Sequence, residues 1–109
     1  MLYAIPVLGT VYGITEKSIS EDAALEHCDG YCDHSSKQIV VSNMLPESPN
    51  QLEDMEAYKK KVIRHEVIHA FFFESGLGDN SYGKNEELVD WIAVQFPKIA
   101  EVFEELGVM

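Results

Sequence analysis

The spacing of apolar positions changes along this chain and divides it into a strand-rich front and a helical back. Residues 7–19 contain β-rich pieces around Gly9 and Gly13, which predict one strand or a hairpin arm. Ser18 or Ser20, with Glu21 and Asp22 behind, can cap a short helix over residues 21–27. Residues 31–33 and Gln38–Ser42 read as short strands joined by the polar turn His34-Ser35-Ser36-Lys37. Pro46 and Pro49 punctuate a loop, and Asn50 can cap the helix that follows.

Met55–Glu74 is free of Gly and Pro and predicts one long helix. Lys59, Lys60 and Lys61 make its first half solvated. From Val67 onward it is apolar nearly all round, as expected of a helix end buried on most sides. Gly76 can take the left-handed position that closes such a helix, with Leu77 as the apolar contact after it. Residues 84–96 predict a second helix, whose stripe of Leu88, Val89, Trp91, Ile92, Val94 and Phe96 marks the inner face. Pro97 begins or kinks a last helix carrying Ile99, Val102, Phe103 and Leu106 at helical spacing.

Strands first and helices after imply an α+β fold, a small antiparallel or mixed sheet covering the long helix. With 109 residues, 46% of them apolar, residues 1–109 are expected to form one domain with a modest core. A chain this small gains from a staple, which a bound metal could supply. A net charge of −11 argues against nucleic acid and against anionic membrane surfaces, both of which would be repelled. No apolar run is long enough to span a bilayer, and residues 1–9 lack a basic lead and contain Pro6, a poor secretion signal. Cytoplasmic residence is therefore expected. Cys28 and Cys32, flanked by His27 and His34, read as reduced thiols, at least one packed in the core, in preference to a metal cluster or a disulfide.

The chemistry sits in the two helices. His65-Glu66-Val67-Ile68-His69 is an H-E-x-x-H pentapeptide, and on a helix its two histidines fall one turn apart on one face, where both imidazoles can reach a single ion. Glu66 is offset by about 100° and would flank the ion, where a carboxylate can take a proton from water. Two histidines and one further protein ligand leave an open position, as in catalytic zinc sites. Glu86 can supply that ligand. Asp90, one turn later, is placed to orient a ligand histidine through its other ring nitrogen. Glu87 is the rival ligand, but it points about 100° away and reads as a surface acid. Zinc is the metal expected from availability and open-site geometry.

His65-Glu66-Val67-Ile68-His69-Ala70-Phe71 with Asn85-Glu86-Glu87-Leu88-Val89-Asp90-Trp91 resembles the gluzincin clan of zinc metallopeptidases, the thermolysin-like enzymes, and in particular its minimal members, including small phage and prophage proteins. Gly30 to Val41 looks like their strand–turn–strand before the active-site helix. The resemblance implies a zincin-like fold with a long active-site helix and a second ligand-bearing helix. It also implies zinc ligands His65, His69 and Glu86, the general base Glu66, and Asp90 orienting a ligand histidine, His65 being favoured. Larger members place a His or Tyr after the ligand helix to stabilise the oxyanion, and nothing after Asp90 is His, Tyr or Arg. Tyr82 between the helices is the available substitute, Tyr31 a weaker one, and loop packing is an equal reading of Tyr82.

The expected reaction is hydrolysis of a peptide or protein substrate. If Gln38–Ser42 were an edge strand, it could hold that substrate by strand addition. A shielded edge is the equal alternative. Two rival readings remain. One is a zinc-stabilised, non-catalytic module that holds a peptide or a partner such as a phage or host regulator. The other is a latent enzyme whose acidic tail, residues 97–109, covers the cleft.

Overall fold

A computed structural model describes residues 2–44, 54–78 and 84–109. In chain order these form β1 (Leu2–Val7), β2 (Thr10–Lys17), one 3-10 turn (Ala23–Glu26), β3 (Gly30–Asp33), β4 (Gln38–Ser42), α1 (Met55–Glu74) and α2 (Glu86–Leu106). The fold is α+β, as the pattern predicted. The sheet order is β1-β2-β4-β3, antiparallel in both hairpins and parallel where β2 meets β4.

The region read as one strand or a hairpin arm is the second strand of a hairpin that starts earlier, at Leu2. Leu8 and Gly9 form its two-residue turn with φ of 48° and 89°, the left-handed pair that suits the strand twist. Pro6 is tolerated within β1 because β1 lies at the sheet edge. The short helix contracts to a 3-10 turn, capped not by Ser18 or Ser20 but by Asp22, whose Oδ1 accepts from the Ala24 N–H at 3.1 Å.

Gln38–Ser42 is not an edge. It lies between β2 and β3, paired on both sides. Ile39, Val40 and Val41 are all buried, the continuous apolar run expected of an internal strand covered on both faces. The exposed edge on that side belongs to β3.

α1 lies across the sheet. Val62, Glu66 and Ala70, each one turn apart, are its buried residues, and Val62 and Ala70 join Val7, Tyr12, Ile14, Ile39 and Val41 in one core. Asp54 caps α1, its Oδ1 accepting from the Ala57 N–H at 3.0 Å. Asn50, Pro46 and Pro49 lie outside the described residues. At the other end Gly76, at φ 89°, donates to the Phe73 carbonyl and Leu77 to that of Phe72, the predicted left-handed closure. The end is not buried on most sides, however, since Phe71 is 42% exposed.

α2 packs on α1 on the side away from the sheet, so α1 is the middle layer. Asn85 caps α2, and Gly107 in the left-handed region ends it. Pro97 neither starts nor breaks a helix. Lacking an N–H, it leaves the Ala93 carbonyl without its usual helical donor. Arg64 of α1 fills the gap, its Nε donating to that oxygen at 2.6 Å and tying the two helices together. The apolar stripe of α2 is wider than its inner face. Val89 and Ala93 are fully buried, while Trp91, Val94 and Phe96 are exposed.

Candidate metal centre

Because α1 separates the sheet from α2, adjacent stripes of one helix face two different layers. The Glu66 stripe meets the sheet; His65 and His69, one turn apart on the next stripe, meet the start of α2. The Asn85 side chain accepts from the Leu88 N–H at 2.9 Å and fixes that start, placing Glu86 in the first turn, where a negative charge is favoured by the helix dipole.

His65 Nε2 lies 2.8 Å from Glu86 Oε2, and His69 Nε2 lies 3.0 Å from Oε1 and 3.2 Å from Oε2 of the same carboxylate. The two rings meet edge to face, centroids 4.9 Å apart. His65 Nδ1 is 3.1 Å from Asp90 Oδ1. Glu66 also brings a carboxylate oxygen within 4.8 Å of ring nitrogens of both histidines. Glu86 is the nearer to both, so it is the better third donor, with Glu66 left alongside.

This donor set fits a divalent cation. Asp90 favours the His65 tautomer with its proton on Nδ1, so Nε2 turns a lone pair toward the Glu86 oxygens. At 2.8 Å that contact requires a positive charge between the two atoms, either a proton or a metal ion. Nitrogen and oxygen ligands of one tetrahedral zinc lie about 3.3 Å apart, within a few tenths of an ångström of the separations here.

Burial raises the Glu66 carboxyl above the ordinary carboxylate range and Glu86 adds to the effect, while His65 and His69 oppose it. For Glu86, burial also acts upward but is outweighed by the hydrogen bonds and charges of His69 and His65, so its carboxyl is lowered. Asp90 is lowered chiefly by Lys61, whose Nζ lies 3.0 Å from the same Oδ1 that faces His65. Lys61 belongs to the half of α1 that the sequence pattern marks as solvated, yet it reaches into the cleft. The available signal was its place one turn before His65, on the stripe that meets Asp90.

His65, Glu66, His69, Glu86 and Asp90, five positions singled out from sequence, line one open cleft of about 710 Å³. Tyr82 lies outside the described residues. Tyr31 borders the cleft, but its hydroxyl donates to Asp22, an acceptor that helps push its pKa up to about 12. Cys28 and Cys32, expected as reduced thiols, are both free and line the cleft, where burial pushes the Cys32 thiol up to about 12. No residue of 97–109 borders the cleft, so the tail does not cover it; it is the far half of α2 and leads away. Gly30 sits directly over Glu66. A Cβ there would lie 3.1 Å from Val62 Cγ1 and 3.5 Å from Glu66 Cγ, so the missing side chain lets β3 close on the helix.

Asp90→Asn is expected to weaken zinc binding about 10–100-fold, since an amide holds His65 less firmly. A competition titration against a chromophoric chelator measures it; unchanged affinity would remove Asp90 from the site.

No protein-family model, curated protein or solved structure matches this chain. Among the described residues, no helix is long and apolar enough to cross a membrane.

Proposed function

We propose that this chain is a small zinc-dependent peptidase with a zincin-like arrangement of the gluzincin kind. The observation that carries the reading is the convergence of His65 Nε2, His69 Nε2 and one Glu86 carboxylate, with Glu66 beside them. In this reading His65, His69 and Glu86 hold the ion, and Asp90, braced by Lys61, sets the His65 ring. Zinc bound there would supply an acidified water and a Lewis acid for the scissile carbonyl. Glu66 accepts the proton as water attacks the carbonyl carbon and returns it to the leaving amine when the C–N bond breaks.

The proposed substrate is an extended chain lying along β3. Asp29 accepts from the Ser42 N–H at 2.9 Å, so alternation along the ladder turns Tyr31 and Asp33 toward β4 and the backbone of Cys32 outward. The Gly30 carbonyl points the same way. Among the described residues no strand pairs with that edge, which runs beside Glu66.

A zinc site that only stabilised the fold would have no use for Glu66. A carboxylate on the sheet-facing stripe is costly to bury, which favours the enzyme over the binding module. The test is incubation of zinc-loaded protein with an unfolded polypeptide, with products identified by mass spectrometry. Internal cleavage that a chelator abolishes is expected. Tight zinc binding with no cleavage would reject the peptidase and leave the non-catalytic module.

A further inference from the structure

From residue 101 on, α2 stands clear of the body. Phe96, Val102, Phe103 and Leu106 are 54%, 50%, 44% and 68% exposed, and every residue from 101 to 109 is exposed. Isolated surface apolar residues need no explanation, but Val102 and Leu106 continue a regular pattern, with Phe96 and Phe103 along its flank. Leu88, Ile92, Gln95, Ile99, Val102 and Leu106 follow each other at alternating steps of four and three, a heptad seam in which Ile92, Ile99 and Leu106 take the a positions. The seam lies about 120° around the helix from Val89 and Ala93, the side that meets α1. A seam of this spacing packs against another helix.

We infer that the free half of α2 binds the same half of a second copy of this chain, antiparallel, about a two-fold axis near residues 100 and 101. Charge and shape both select that partner and that direction. With Ile99 set against Val102 of the second copy and Gln95 against its Leu106, the flanking positions pair as in any antiparallel coiled coil. On one flank Lys98 meets Glu105, and the two-fold repeats the contact, giving two opposite-charge pairs. On the other flank Phe96 meets Phe103, again twice. Glu101 and Glu104 stay on the outer side, so a chain of net charge −11 can self-associate here without placing like charges in contact across the seam. A parallel pair would set Lys98 beside Phe103 and so lose the pairing of Lys98 with Glu105. The overlap runs over residues 95–106, so the metal centre at the opposite end of α2 remains open. The inference does not depend on the peptidase reading.

Sedimentation equilibrium over a range of concentrations tests it. The expected result is a monomer of 12.3 kDa in equilibrium with a species of twice that mass. Val102→Glu should weaken the dimer at least about a hundredfold, while circular dichroism and zinc content stay those of the parent. Lys98→Glu alone and Glu105→Lys alone should each weaken it about tenfold, and the double exchange Lys98→Glu/Glu105→Lys should restore it. Both charged positions are exposed, so these variants fold whatever the seam does. A 12.3 kDa species at every concentration, a dimer indifferent to Val102→Glu, or a double exchange that fails to restore association would overturn the inference.

Discussion

Glu66→Gln is expected to lower peptide hydrolysis about 10²–10⁴-fold while zinc content stays at the parent value. Gln matches Glu in shape and fits the space under Gly30, but its amide cannot accept the proton released as water attacks. Folding should not suffer. Glu66 is 7% exposed on the stripe that faces the sheet, and burial already raises its carboxyl, so a neutral side chain there removes a desolvation cost. Steady-state kinetics beside elemental analysis of the same sample separate the two effects. Retained turnover in a zinc-loaded variant would show that Glu66 is not the base.

His69→Ala carries the second large effect, and it falls on stability. Removing one of three donors leaves His65 and Glu86, too few for tight zinc binding. A ligand present at about a thousand times its dissociation constant stabilises the folded chain by about 4 kcal/mol. For a domain of this size that corresponds to a fall in melting temperature of more than about 10 °C. Calorimetry with and without chelator reads it directly. The parent should melt lower when zinc is stripped, and His69→Ala should melt at that lower temperature with or without chelator. A parent that melts identically in both conditions would rule out a metal that holds the fold together.

The parts of this site that were legible in the sequence share a cause: they depend on spacing within one helix. His65 and His69 are one turn apart, as are Glu86 and Asp90, and the 3.6-residue period places each pair on a common face wherever the helix packs. Gly76 announced a helix end for an equally local reason. What could not be read depends on contacts far along the chain. That Gln38–Ser42 is internal follows from its parallel pairing with β2, although the unbroken run Ile39-Val40-Val41 was a usable sign. That α2 continues through Pro97 rests on Arg64 reaching the Ala93 carbonyl 29 residues away, and Lys61 reaches Asp90 over the same separation. The breadth of the α2 stripe misled for another reason. The apolar residues from Leu88 to Phe96 were assigned to one inner face, whereas Val89 and Ala93 are buried and Trp91, Val94 and Phe96 are exposed.

The central claim is that His65, His69 and Glu86 share one metal ion. Its most direct test is the zinc content, by elemental analysis, of the parent and of Glu86→Ala, each loaded with zinc and then dialysed against a weak chelator. One zinc ion per parent chain, with little or none retained by Glu86→Ala, is the predicted result. A parent that retains no zinc, or a Glu86→Ala chain that holds it equally well, would contradict the claim.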